Sequence, residues 1–155
     1  MAVPLILKEI VKVRRKKANN RKVRAGYIVS DKGVYMKEKQ EIKQITLALA
    51  QAGFDKKGTD IEIMDLEGLS SLADYFVLVS ASNVKQAQSI ADEIEDKGAE
   101  EGVTVLHREG YHEGEWILLD FGDIICHIFG GTETRTFYGL EQLWNDATRV
   151  EFVGA

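Results

Sequence analysis

The sequence is poor in cysteine and proline, with one of each among its 155 residues, and it has no long hydrophobic run. Cys126 alone cannot form a disulfide bond within the chain, so we expect a protein of a reducing compartment. No apolar run approaches the roughly 20 residues that a transmembrane helix needs. The N-terminal apolar stretch is short and precedes its positive charges, whereas a secretory signal has the charges first. These absences predict a cytoplasmic protein that does not associate with a membrane.

The signatures of several enzyme classes are also missing. The 14 glycines form neither the G-x-x-x-x-G-K-[ST] nor the G-x-G-x-x-G phosphate-binding pattern, and there is no G-x-S-x-G nucleophile motif. Three histidines and one cysteine lack the spacing of a zinc site, which needs three or four convergent ligands. Cys126 and His127 are neighbours in a predicted strand, so their side chains point to opposite faces and cannot form a catalytic pair. We therefore predict no catalytic residue, no metal and no cofactor.

One acidic pattern leaves an enzymatic alternative open. Asp60 and Glu62 share one face of a predicted strand, as the D-x-D pairs of two-metal phosphoryl-transfer enzymes do. Asp120, at the end of another predicted strand, could supply a third ligand. The Gly-Ser helix opening that grips the triphosphate in nucleotidyltransferases is absent upstream, and strand ends commonly carry solvated acids. The alternative is a metal-dependent nucleotidyltransferase-like enzyme.

The charge is divided between two parts of the chain. Residues 1–24 carry nine basic residues and one acidic residue, a net charge of +8. The other 131 residues carry 11 basic and 24 acidic residues, a net charge of −13. We therefore divide the chain into a basic N-terminal extension (1–37), a domain (38–147) and a C-terminal tail (148–155). The extension could be an RNA-binding arm, or a non-native appendage to a body that begins near Met36.

Hydrophobic periodicity from residue 38 onward predicts alternating helices and strands. Apolar residues at helical spacing, a stop at Gly53 and a cap at Ser82 or Asn83 predict helices over about 38–53, 84–98 and 134–145. Period-two patterns and short apolar runs predict strands at about 60–66, 75–79, 103–107, 116–119 and 124–129. This order predicts an α/β (α+β) fold with a mixed five-stranded sheet flanked by helices.

Five segments, in the same order, resemble the ribosomal silencing factor family, RsfS, also called Iojap. Residues 65–77 read D-L-E-G-L-S-S-L-A-D-Y-F-V against the family's D-x-x-G-x-S-S-x-x-D-Y-F-V, and residues 86–92 read Q-A-Q-S-I-A-D against Q-x-x-x-I-A-D. Further along come E-G at 109–110 with W-I-L-L-D-F-G-D at 116–123, then H-I-F at 127–129 and R-T-F-Y-G-L-E-Q-L-W at 135–144. The resemblance covers roughly residues 40–145, so residues 38–147 are expected to form an RsfS/Iojap-like domain.

The resemblance implies a non-catalytic protein whose fold is similar to that of nucleotidyltransferases but lacks their catalytic signature. Proteins of this family bind the fourteenth protein of the large ribosomal subunit, block joining of the small subunit and so repress translation when nutrients are scarce. They are often homodimers, and a homodimer is compatible with this sequence. The basic extension has no family counterpart, and in a ribosome binder it could contact rRNA phosphates.

The resemblance places the partner contact on Glu109, Trp116 and Asp120, with Tyr111 and Glu115 at the rim. An exposed Trp flanked by acids would form a binding hot spot, because Trp gives a large contact area and carboxylates pair with a basic ribosomal protein. The alternative for Trp116 is a core aromatic at the start of a buried strand. The last predicted helix is expected to pack on the sheet through Arg135, Phe137, Tyr138, Leu140 and Trp144.

Overall fold

A computed structural model describes residues 27–30, 33–36 and 39–155 of the chain. The first two segments form an antiparallel pair of strands, β1 (Tyr27–Ser30) and β2 (Gly33–Met36), in which Tyr27 lies opposite Met36. Hydrophobic periodicity predicted neither strand. The nine basic residues of positions 1–24 lie outside the described residues.

The rest of the described chain alternates helices and strands. The elements are α1 (Lys39–Asp55), β3 (Thr59–Asp65), β4 (Tyr75–Ser80), α2 (Val84–Glu100), β5 (His107–Glu109), β6 (Trp116–Asp120), β7 (Ile124–Phe129), α3 (Thr132–Tyr138), α4 (Leu140–Leu143) and β8 (Thr148–Val150). Strands β3 to β8 form one sheet in the order β5-β6-β7-β4-β3-β8, in which only the β4–β7 pair is parallel. The predicted α/β class and mixed sheet are confirmed.

The sheet has six strands instead of the predicted five. The additional strand is β8, which pairs with β3 and lies in the segment expected to be a tail. It is three residues long and its first two residues are exposed, so its sequence has no apolar run or alternation to reveal it. Its pairing with β3 explains why it is extended.

Three predicted elements differ from the structure more than the rest. Helix α1 passes through Gly53 to Asp55, and Gly53 lies against β4, where an added Cβ would stand 3.2 Å from Val79 Cγ2. The single predicted final helix is two helices, because Gly139 adopts a left-handed conformation (φ +57°, ψ +42°) between α3 and α4. Strand β5 begins at His107, where the predicted strand ended.

Side chains alternate between the two faces of the sheet. One face packs against α1 and α2 and contains most of the core: Ile63, Tyr75, Val77, Val79, Ile117, Leu119, Ile124, Cys126 and Ile128. The other face packs against the C-terminal segment, where Leu140 of α4 joins strand residues Met64, Phe76, Leu78, Trp116, Leu118, Ile125 and Phe129. Strands β4, β6 and β7 are buried along their whole length, as their continuous apolar runs predicted. Within the described ranges, no helix is both long and apolar enough to cross a bilayer.

Candidate partner-binding surface

The structure brings together three of the five predicted contact residues. On β5, Glu109 lies opposite Leu118 of β6, so it shares the α3 side of the sheet with Trp116 and Asp120, which flank Leu118. Tyr111 belongs to the loop after β5 and turns to the opposite side, where it contacts α2. Two of the three residues that share a face, Trp116 and Asp120, are buried.

Trp116 is a core residue in this chain. Its side chain is only 6% exposed, and its indole Nε1 donates a hydrogen bond of 3.0 Å to His127 Nδ1. The indole stacks on Phe129, with centroids 5.4 Å apart, and Tyr138 of α3 lies over it at 4.5 Å. The expectation of an exposed Trp116 is therefore wrong, and its alternative, a core aromatic, describes the side chain.

Asp120 fixes the turn between β6 and β7. Its Oδ1 accepts a hydrogen bond of 2.8 Å from the backbone N–H of Gly122. Gly122 has a φ of +100°, which residues with a side chain rarely adopt. In this position the Asp120 carboxylate organises the turn from within the protein.

The other three predicted residues are at the surface. Glu109 Oε1 lies 2.8 Å from His107 Nε2 on the same strand, and the Glu109 side chain is partly exposed. The hydroxyl of Tyr111 donates to the Asp92 carboxylate of α2 (3.0 Å), and this bond raises the pKa of Tyr111. Glu115 is exposed, and its backbone carbonyl accepts a 2.9 Å bond from Gly130 at the start of the connection to α3.

The most prominent surface feature near Trp116 is Phe137, which sequence reasoning assigned to packing. Its side chain is 77% exposed, and its ring contacts Tyr138 edge to face at 5.2 Å. Helical geometry gives the reason, because at about 100° per residue Phe137 lies about 200° around the helix from the buried Arg135. The prediction that Phe137 packs on the sheet is wrong. We call Phe137 and Tyr138, with Trp116 packed against Tyr138, the aromatic surface.

Arg135 anchors the helix that carries the aromatic surface. It is 8% exposed, and its guanidinium reaches the first residues of β3 and the last residue of β4. Nη1 donates to the Asp60 carbonyl (2.6 Å) and to Ser80 Oγ (2.8 Å). Nε and Nη2 lie 2.8 and 2.7 Å from Glu141 Oε1, and Nη2 lies 3.7 Å from Glu62 Oε2. The predicted packing role of Arg135 is confirmed.

Comparison with known proteins identifies the family. The sequence model of RsfS, described as "Ribosomal silencing factor during starvation", matches residues 39–154. The chain is 44% identical over 105 residues to the ribosomal silencing factor RsfS of Bacillus subtilis, covering 68% of this chain and 88% of that protein. This chain belongs to the RsfS family. The RsfS of Halalkalibacterium halodurans is 36% identical over 115 residues, 74% of this chain and 95% of that protein.

The fold of this RsfS family member is also similar to solved structures. A crystal structure of a protein from Chromobacterium violaceum superposes with a TM-score of 0.65 at 30% identity, covering 74% of this chain and 93% of that one. The matched family region begins at residue 39, so it excludes the basic residues 1–24.

The acids of the enzymatic alternative do not converge in this RsfS family member. Asp120 lies on β6 and Glu62 on β3, three strands apart, which is about 14 Å at the spacing of neighbouring strands. Glu62 is paired with Arg149, whose Nε lies 2.8 Å from its Oε1. Among the residues that the structure describes, no three His, Cys, Asp or Glu side chains are grouped to hold a metal ion. The described geometry therefore gives the alternative no support.

Two potentially reactive side chains lie in the core. Burial raises the pKa of the Cys126 thiol and lowers the pKa of the His127 imidazole to about 3. Both groups are therefore neutral at physiological pH. A neutral imidazole has one nitrogen free to accept a hydrogen bond, and the position of Trp116 Nε1 identifies that nitrogen as Nδ1.

Proposed function

We propose that this RsfS family member binds the large ribosomal subunit through its fourteenth protein, in the cytoplasm, and blocks joining of the small subunit. It acts by occupying a surface, without catalysis or a cofactor. Membership of a family of ribosomal silencing factors supports the role. Saturable, magnesium-dependent nucleotide binding in calorimetry would contradict the non-catalytic part.

The exposed ring of Phe137 is the observation that supports the position of the contact. Phe137 leaves 77% of its side chain in water, although the Tyr138 ring, which itself packs on Trp116, lies against it. Burying a Phe side chain against a partner contributes about 2–3 kcal/mol. Rigid, well-supported aromatics at the centre of an interface are the usual hot spots.

Acidic side chains lie around the aromatic surface. Glu133 is one helical turn before Phe137 on α3, and Glu115 immediately precedes Trp116; both are exposed. Such carboxylates raise the rate of association with a basic ribosomal protein and orient it, while the aromatic centre supplies most of the affinity. We therefore keep Glu109 and Glu115 as contact residues and assign to Trp116 and Asp120 the support of the surface from within.

The test compares two exposed apolar residues. Phe137→Ala removes the proposed hot spot, and Val153→Ala, at a residue that is also 77% exposed but near the C-terminus, is the matched control. Affinity for purified large subunits is measured by co-sedimentation. We expect Phe137→Ala to lose at least about 2 kcal/mol, roughly 30-fold in Kd, and Val153→Ala to bind normally. Equal affinity of the two variants would remove Phe137 from the interface.

The basic extension is proposed to make a second contact, with rRNA. Nine basic residues in positions 1–24 would face phosphates that the body, with a net charge of −13, repels. This contact would add affinity that depends on salt, while the aromatic surface determines the position of binding.

A further inference from the structure

His127 is an unusual residue for its place in the sheet. It lies in the middle of β7, wholly buried, between Leu118 of β6 and Leu78 of β4 in the register. A polar ring loses its hydration when it is buried in an apolar layer. Its burial is therefore unfavourable unless its nitrogen atoms form hydrogen bonds within the protein.

The imidazole makes one of its two possible hydrogen bonds. Nδ1 accepts from Trp116 Nε1, and because an indole nitrogen only donates, Nδ1 must be unprotonated and the ring proton sits on Nε2. Within the described part of the chain, Nε2 has no hydrogen-bond partner, although it is buried. An apolar side chain would avoid that unpaired donor. The specific contribution of a histidine here is the bond to Trp116.

The bond holds the indole that supports the aromatic surface. Two rings contact the Trp116 indole: Phe129 stacks on it at an interplanar angle of 30°, and Tyr138 packs against it at 50°. Neither ring contact fixes the indole nitrogen, but the hydrogen bond does. From the indole, contacts continue to Tyr138 and then to the exposed Phe137, at 4.5 and 5.2 Å.

We propose that His127 is a positioning residue for ribosome binding: by accepting the Trp116 indole hydrogen bond, it sets the orientation of the Trp116 ring, against which Tyr138 packs, and through Tyr138 the position of Phe137. The inference deepens the proposed function and rests on it. His127 touches no partner itself and acts through Trp116 and Tyr138.

A double-mutant cycle tests this role. His127→Leu removes the acceptor, and Trp116→Phe removes the donor while it keeps an aromatic ring. Because each single change breaks the same bond, we expect each to weaken binding to purified large subunits about tenfold, and the double variant to be little weaker than either one. His127→Asn, which keeps a short side-chain acceptor, should recover part of the affinity.

A spectroscopic measurement separates positioning from stability. In protein labelled with ¹⁵N-tryptophan, the indole N–H signal of Trp116 should shift in His127→Leu, and the melting temperature is recorded for every variant. If His127→Leu does not fold, Trp116→Phe and His127→Asn complete the comparison. Folded variants that bind like the wild type, or losses that simply add in the double variant, would overturn the positioning role alone. A wild-type protein that does not bind large subunits would overturn the proposed function, and the inference with it.

Discussion

The anchoring of α3 by Arg135 leads to a quantitative prediction. Replacing Arg135 by Met keeps most of the buried side-chain volume and removes the charge and every hydrogen bond of the guanidinium. The change leaves Ser80 Oγ and the Asp60 carbonyl without their donor and Glu141 without its closest cation.

The expected loss is about 3 kcal/mol in the free energy of unfolding. Removing one partner of a fully buried ion pair costs about 3–5 kcal/mol. The lower end applies here because Glu62 and Glu141 are partly exposed and water can solvate them, and because Glu62 keeps its bond to Arg149.

Arg149→Met provides the matched control. Arg149 also pairs with Glu62, but its side chain is 33% exposed, so we expect a loss of about 1 kcal/mol or less. Arg135→Lys should recover little, because an ammonium is a single point of charge and cannot replace the fork that bonds Glu141, Ser80 and Asp60 together.

The assay is urea unfolding of the wild type and the three variants at neutral pH, followed by circular dichroism. The slope of the transition should remain constant while the midpoint falls. If Arg135→Met is no more destabilising than Arg149→Met, the hydrogen bonds and ion pairs of Arg135 do not anchor α3 to the sheet.

Two further predictions concern the basic extension and His127. Neutralising the nine basic residues of positions 1–24 with Gln should weaken binding to large subunits at low salt and flatten the dependence of log K on log salt. Each lost phosphate contact should reduce the slope by roughly 0.7 to 0.9. Identical salt dependence would exclude the rRNA contact. In the unfolded chain, His127 takes up a proton below its ordinary pKa of about 6.5, whereas in the folded chain it does so only near pH 3. Because the unfolded state binds the extra proton, folding stability should fall as the pH is lowered from about 6.5 towards 3. The wild type should lose about 2 kcal/mol more than His127→Leu by pH 5 in urea unfolding, and parallel pH profiles would contradict the assignment.

The sequence predicts the centre of the sheet better than its margins. The runs in β4, β6 and β7 are apolar on both faces, so they reveal buried strands without any knowledge of their neighbours. Strand β8 is extended because it pairs with β3, and Gly139 divides the last helix by a local backbone conformation. Neither cause appears in hydrophobic periodicity.

The sequence proposes a candidate surface around Trp116, but it does not tell the exposed members of that surface from the buried ones. The family motifs pointed to the region around Trp116, and the structure places a prominent exposed aromatic ring there. Whether Trp116 is exposed depends on where Tyr138 lies, and that depends on the bonds of Arg135 to residues 55 and 75 positions away in the chain. Such contacts come from tertiary folding, and no local pattern contains them.

The most direct test of the proposed function is the rate and extent of subunit joining, followed by light scattering with purified ribosomal subunits. Large subunits incubated first with an excess of this protein should form few complete ribosomes when small subunits are added, and the Phe137→Ala variant at the same concentration should leave joining nearly normal. Normal joining of large subunits that are demonstrably saturated with the wild-type protein would contradict silencing by occlusion.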